Sequence, residues 1–317
     1  MNADRPEIDP TRVRRLFETA GKRRPPQGEH DFIVREVSKR MAERLEYIKL
    51  APARALDAGC GSGADLVALR KRFPQTQWQA LDFAFSRVAA GRAEHESAFR
   101  TGLGLYQRLG LAMSRKSQPV DWVCGDFGAL PFAARSLDFI WSNLALHWHG
   151  SPHRVFPEWA RTLNVGGLVL FSAFGPDTLK EVSNAFAAAG RGRQTGAVLP
   201  FTDMHDYGDM LVDAGFVTPV VDAERLTLTY SNTAALWRDV RALGGNALAD
   251  GSRNPGLGGR GFSDRLNAAL KAQKGADGRY PLSFEIIYGH AWKGQPKTVA
   301  DGRSIVHLEL PRRPRRT

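Results

Sequence analysis

Asp57, Gly59, Gly61 and Gly63 lie close together in the stretch "RALDAGCGSGADLVALRKR" that begins at Arg54. A glycine cluster between an apolar strand and a helix lets a ligand come against main chain, because only glycine lacks the Cβ that would clash. Read as a pattern, Gly59, Gly61 and Ala64 fit the loose G-x-G-x-x-[G/A] dinucleotide fingerprint, and Asp82 stands near the spacing of its ribose-binding acid. A dinucleotide, however, would bring an anionic pyrophosphate against the Asp57 carboxylate, and like charges repel. S-adenosylmethionine (SAM) carries no phosphate and presents an α-ammonium and a sulfonium, so a carboxylate beside the glycines attracts it.

Two further groups follow in order. Asp126 and Phe127 come after the apolar run "WVC", and Asn143 closes another in "WSNLALHW". The set resembles the motifs of class I SAM-dependent methyltransferases. That resemblance implies cofactor contacts from Asp57 and the three glycines, and ribose hydroxyls held by Asp82 with Phe83 beside it. It further implies an adenine site at Asp126 and Phe127, and a place for Asn143 where cofactor and acceptor meet. Each residue has a plainer reading: Asp57 as a helix cap, Phe127 as core, Asn143 as a turn residue. The four spaced groups together favour the methyltransferase reading over a dehydrogenase.

The elements that must position these residues alternate. Ile33, Val37, Met41, Leu45 and Ile48 recur at helical spacing, so an amphipathic helix is expected from Phe32 to Ile48. Next come a strand ending at Asp57, a helix through Leu66 and Leu69, and the strand "QWQALD". The segment from about 87 to 119 is long for a connection and reads as a helical insertion. The pattern resumes with the strands "VDWVCGDF" and "LDFIWSNL", a helix near His153 to Leu163, and the strand "LVLFSAF". Nearly continuous apolar character fits a parallel sheet covered on both faces. A helix near Asp177, a helix closed by Gly215, the alternating "VVDAERLTLTY", a Gly-rich loop and the strand "SFEIIYGHAW" complete the chain. The expected fold is α/β: a doubly wound, mostly parallel, seven-stranded Rossmann-like sheet with an N-terminal helix and helical insertions.

The chain of 317 residues is 43% hydrophobic, enough for one large α/β domain with appendages. A basic segment over 1–30, a catalytic domain over 31–295 with substrate-side elements at about 230–283, and a basic extension over 296–317 are expected. No apolar run approaches the roughly 20 residues that span a bilayer, and the charged start is unlike a secretory leader, so a cytoplasmic protein is expected. Two cysteines exclude a disulfide framework and a four-cysteine zinc site. The net charge of +11 favours a polyanionic partner, with candidate surfaces around Arg12 to Arg24 and at Arg100, Arg108, Arg115 and Lys116.

Beyond the common motifs, "WSNLALHW", "FGPDTLKE", "VRALGGN" and "GRYPLSFEIIYGHAW" resemble the malonyl-acyl-carrier-protein O-methyltransferase family, from about Phe32 to Trp292. The resemblance implies methyl transfer from SAM, leaving S-adenosylhomocysteine, to the free carboxylate of malonyl held on an acidic acyl carrier protein. The methyl ester then starts pimeloyl and biotin synthesis, its charge masked for enzymes with apolar acyl channels. An ionised carboxylate needs no general base, so positioning groups are the ones to seek. His147 and Trp148, directly after the fourth strand, are the candidates, with Tyr230 and Tyr288 behind them. The histidines His147, His149 and His153 lack the acid or cysteine that would complete a metal site, so no metal is expected.

One departure is a missing tyrosine. Family members usually carry one just before the helix at Phe32, where this chain reads "KRRPPQGEHDF", leaving His30 or Phe32 to fill that space. A protein-arginine methyltransferase is the nearest alternative, but a guanidinium acceptor needs orienting carboxylates, and "SNLALHWHGSPH" supplies none. A nucleic-acid binder is disfavoured because the aromatics do not interleave with Lys and Arg as a base-stacking platform would.

Overall fold

A computed structural model describes residues 8–22, 32–108, 119–190, 198–242 and 259–295. Helices α1 (Pro10–Lys22) and α2 (Phe32–Leu45) precede the first strand, β1 (Arg54–Ala58). The chain then alternates through α3 (Leu66–Arg72), β2 (Gln77–Asp82), α4 (Phe85–Arg108), β3 (Val120–Cys124), β4 (Leu137–Ser142), α5 (Pro152–Thr162) and β5 (Leu163–Phe174). Helices α6 (Lys180–Ala188) and α7 (Met204–Asp213), strand β6 (Phe216–Tyr230), helices α8 (Thr233–Ala242) and α9 (Arg260–Lys271), and strand β7 (Tyr280–Lys293) follow.

The seven strands form one sheet in the order β3-β2-β1-β4-β5-β7-β6. β1 to β5 run parallel, and β7 lies antiparallel between β5 and β6. The order reverses beside β1, which pairs with β2 on one side and β4 on the other, and ligands of doubly wound sheets sit at that crevice. The glycine cluster follows directly on the end of β1.

Hydrophobic periodicity accounts for most of this. Ile33, Val37, Met41 and Leu45 of α2 are fully buried in the layer that also holds Leu66, Leu69, Phe139, Trp141 and Tyr288. Burial of such side chains stabilises by about 1.5–3 kcal/mol each. The opposite layer gathers Leu56, Ile140, Phe156, Trp159 and Phe171. β3 is half exposed, as an edge strand must be, whereas β4 is buried almost throughout.

Several expectations shift in detail. α2 stops at Leu45 and Ile48 lies past a turn. The helix expected near Asp177 starts at Lys180, after a turn in which Leu179 takes a left-handed φ of 56°. β7 locks that turn, with Leu179 N–H donating to Ser283 O at 2.7 Å and Gly175 N–H to Glu285 O at 2.9 Å. The segment read as an insertion after Arg87 is continuous with the crossover helix, since α4 runs unbroken from Phe85 to Arg108. The Gly-rich loop expected over 244–264 is cut short by α9, which begins at Arg260; residues 244–258 of it, His30, Arg24, Arg115, Lys116 and the tail from 296 lie outside the described residues.

Candidate functional site

The glycine turn is stitched to the sheet from below. Gly59 N–H and Cys60 N–H both donate to Leu81 O, at 2.8 and 3.0 Å, and Gly125 N–H donates to Asp82 O at 3.0 Å. These bonds align the ends of β1, β2 and β3, so Asp57, Asp82 and Asp126 emerge on one edge of the sheet. Gly59 has φ +80°, and a Cβ placed on it would stand 2.3 Å from the Ala145 Cβ, so no larger residue fits. The turn therefore offers a bare backbone surface beneath the loop after β4.

Three carboxylates surround it. Asp57 is 2% exposed, and its Oδ2 has no hydrogen-bond partner. Burial, then repulsion from Asp65 and Asp82, pushes its carboxyl well above the ordinary range. Asp82 accepts Gly61 N–H on Oδ2 at 2.9 Å and Ala84 N–H on Oδ1 at 2.8 Å; burial still raises its carboxyl, against the pull of those bonds and of Arg87. Asp65 stands directly before α3 but does not cap it. It accepts Trp141 Nε1–H at 2.8 Å and the Asn143 amide at 3.0 Å, and burial raises it as well. Buried, mutually repelling carboxylates with one orphan oxygen form a cradle for a cation and reject a phosphate.

On the edge of the site, Asp126 is exposed and accepts Gly128 N–H at 2.7 Å, with His149 Nε2 3.7 Å away. Phe127 is buried, its ring 5.6 Å from that of His149 and 6.1 Å from that of Trp159. Phe83 follows Asp82 and meets the Phe17 ring of α1 edge-on at 5.7 Å.

The loop after β4 carries the remaining candidates. Asn143 is occupied: its Nδ2 donates to Val34 O and to Asp65, both at 3.0 Å, and its Oδ1 accepts the Ser172 hydroxyl at 2.9 Å. Its amide thus ties α2, the glycine turn and β5 together. His147 is 5% exposed and sits in a cage of Trp148, Phe174 and Phe201. Phe174 N–H donates to its Nδ1 at 3.3 Å, while Nε2 is buried without a partner. Burial lowers its pKa to about 3, so the ring is neutral and carries its proton on Nε2. Trp148 packs edge-on to Phe17 at 5.1 Å, forming the wall between His147 and α1.

The late-strand tyrosines come from the antiparallel end of the sheet. Tyr230 donates its hydroxyl to Asp239 at 3.0 Å, and Tyr288 lies under the Arg44 guanidinium, 3.7 Å from ring centre to Cζ. A cleft of about 610 Å³ between α2 and β6 shares no lining residue with the glycine turn. Its charges are paired: Arg44 with Asp222 at 2.6 Å, and Arg40 with both Glu36 and Glu224. Among the described residues, no group of three or more His, Cys, Asp or Glu is placed to hold a metal. Nor is any helix there long and apolar enough to cross a membrane.

Asp65 is the residue that sequence reasoning passed over. Its signal was present, an acid two residues after the third glycine, but that position looks like an ordinary helix cap.

Comparison with known proteins adds the family. The sequence profile described as "Methyltransferase domain" matches residues 56–171, which run from β1 through β5. The solved YcgJ protein of a Bacillus superposes with a TM-score of 0.53 at 16% identity, over 83% of this chain and all of that one, and so shares the fold. A malonyl-[acyl-carrier protein] O-methyltransferase from Laribacter hongkongensis is 41% identical over 95% of this chain and 96% of its own. One from Methylovorus sp. is 41% identical over 312 residues, 97% of either chain. With that similarity running from end to end, the chain belongs to the malonyl-[acyl-carrier protein] O-methyltransferase family.

Proposed function

We propose that this enzyme transfers the methyl group of SAM to the free carboxylate of a malonyl thioester carried on acyl carrier protein. The observation that carries the cofactor half is Asp57, whose buried, unpartnered oxygen faces two further carboxylates at the glycine turn. A ligand bearing an ammonium and a sulfonium relieves that repulsion; one bearing a pyrophosphate worsens it. Asp57 and the turn at Gly59, Gly61 and Gly63 would hold the methionine end. Asp82, beside Phe83, would take the ribose hydroxyls, and Asp126 with Phe127 the adenine. Bound there, SAM supplies an electrophilic methyl group.

The acceptor half rests on His147 and on the shared name of relatives that match nearly the whole chain. A malonyl carboxylate is ionised at neutral pH, so the protein has no proton to remove. Its task is to hold one oxygen in line with the methyl carbon while apolar walls exclude water. The Nε2–H of His147 is a donor without a partner in such a cage. Being neutral, it orients a carboxylate without forming the ion pair that would blunt its nucleophilicity. Trp148, Phe174 and Phe201 supply the walls, and this apolar surround is unsuited to a guanidinium, which would need carboxylates. Asn143 serves as a positioning residue, since its amide is spent on Val34, Asp65 and Ser172.

The net charge of +11 complements an acidic carrier. Of the cationic positions singled out, Arg12, Arg14 and Arg15 lie on α1, beside the site, and Arg100 and Arg108 fall on α4.

The test is label transfer. Purified enzyme with methyl-labelled SAM is offered malonyl carrier, malonyl-CoA, acetyl carrier and bulk RNA. Label on malonyl carrier that mild base releases as methanol is the expected result. SAM binding without any such label would retain the cofactor reading and overturn the acceptor.

A further inference from the structure

Helix α1 lies over the end of β2, where the resemblance to methyltransferases places the ribose of the cofactor. Its apolar residues Val13, Leu16 and Phe17 form a small cluster with Phe83, Trp148, Leu199 and Phe201, of which Phe201 also packs against a main layer of the core. Phe17 is held on three sides: edge-on to Phe83 at 5.7 Å, edge-on to Trp148 at 5.1 Å, and under the Arg87 guanidinium at 4.7 Å. Arg87 itself reaches back over the glycine turn, its Nη1 3.3 Å from where a Cβ on Gly61 would stand. Phe17 thus bridges Phe83 after β2 to Trp148 after β4, across the crevice at β1.

One side chain fixes this arrangement. The Glu18 carboxylate accepts Phe85 N–H on one oxygen at 2.6 Å and Ser86 N–H on the other at 3.1 Å, while the Ser86 hydroxyl donates to Glu18 O at 3.1 Å. Phe85 and Ser86 begin α4, so their amides are among the first-turn donors that lack an intrahelical acceptor. A carboxylate there gains from two charge-assisted bonds and from the helix dipole. The pull of those bonds holds the Glu18 carboxyl below its ordinary range despite some desolvation. The charge is also felt at Asp82, whose carboxyl it helps to raise.

We propose that Glu18 is a positioning residue for cofactor binding: by capping α4 in trans it holds Phe17 as a roof over the ribose end of the site, between Phe83 and Trp148. The proposal rests on the SAM reading above, and it goes beyond that reading by giving the N-terminal helix a defined part in the site. It also explains why an acid and an aromatic stand side by side in α1: one latches, the other covers.

The test is a titration of SAM into the full-length enzyme by calorimetry, with steady-state kinetics on malonyl carrier, for wild type, Glu18→Gln, Glu18→Ala and Phe17→Ala. Glu18→Ala and Phe17→Ala are expected to weaken SAM binding about five- to twentyfold and to raise the KM for SAM in step. The KM for the malonyl carrier and kcat should move less than threefold. Glu18→Gln keeps an acceptor oxygen and should recover part of the loss. A merely structural role would lower the active fraction, so kcat would fall with the KM for SAM unchanged; that pattern overturns the proposal. Wild-type SAM affinity in both alanine variants overturns it too. Wild type that binds no SAM would instead overturn the cofactor reading on which it rests.

Discussion

Asn143 and Asp65 hold one another: the Asn143 amide donates to Asp65 Oδ2 at 3.0 Å, from the end of β4 to the residue that opens α3. The two lie 78 residues apart, so their pairing has no local signature in the sequence. Through Val34 O on one side and the Ser172 hydroxyl on the other, the pair joins α2, the glycine turn and β5. The cradle proposed for the cofactor is therefore held at its back by neutral donors, while at its front one oxygen of Asp57 has no partner.

Asn143→Ala should cost about 2–4 kcal/mol of stability, because it leaves the Val34 carbonyl, one Asp65 oxygen and the Ser172 hydroxyl with lost partners in the interior. Denaturant unfolding measures this. A loss below about 0.5 kcal/mol would mean that the network relaxes and that Asn143 faces the cofactor instead.

Asp57→Asn should stabilise the free enzyme while weakening SAM binding at least tenfold. The substitution keeps the shape and removes one of three repelling buried charges, so its Tm rises as its function falls. Thermal unfolding with and without SAM separates the two effects. A variant that binds SAM as well as wild type would remove Asp57 from the site.

The same carboxylates set a pH dependence. Asp57, Asp65 and Asp82 are all raised in the folded chain, so folding favours their protonated forms. Their contribution to stability is complete below about pH 4, the ordinary carboxyl value, and is lost as pH rises through the folded values. Cofactor binding runs the other way, since a cation needs the ionised cradle. SAM affinity should strengthen as pH rises above the ordinary carboxyl range, and Asp57→Asn should flatten that slope. Calorimetry across a pH series reads it; identical slopes in wild type and variant would assign the effect to other groups.

How much of this was legible in sequence follows from distance along the chain. The strand, glycines and Asp57 form one local run, and Asp82, Asp126 and the "LHW" turn each come at or just after the end of an apolar strand; periodicity located those strands, and the resemblance to class I methyltransferases implied that their ends meet. Asp65 was hidden by its own position, where an acid looks like a cap, and its partners Trp141 and Asn143 come from the far side of two crossovers. Glu18 was hidden in the same way, 67 and 68 residues from the amides it caps, inside a basic segment that reads as solvated. The continuity of α4 was obscured by its length, because a segment from about 87 to 119 is long for a connection and so reads as an insertion. Contacts made across the fold by single polar atoms leave no period to detect.

His147 gives the sharpest separation of binding from turnover. Its ring is buried, neutral and already committed at Nδ1 to the Phe174 amide, so Nε2–H is the only polar atom it can offer a substrate. His147→Phe keeps the aromatic packing against Trp148, Phe174 and Phe201 and removes that donor. A hydrogen bond to a charged acceptor is worth about 1.5–3 kcal/mol, so kcat/KM for the malonyl carrier should fall about ten- to a hundredfold. SAM affinity should stay within twofold, because the role proposed for the ring is contact with the acceptor and not with the cofactor. The pH profile of the wild type should show no step between pH 5 and 8 that His147→Phe removes, since the pKa of this imidazole lies near 3. If His147→Phe turned over malonyl carrier at the wild-type rate, the acceptor carboxylate would have to be oriented by main-chain donors of the loop after β4, and the cage would be packing alone.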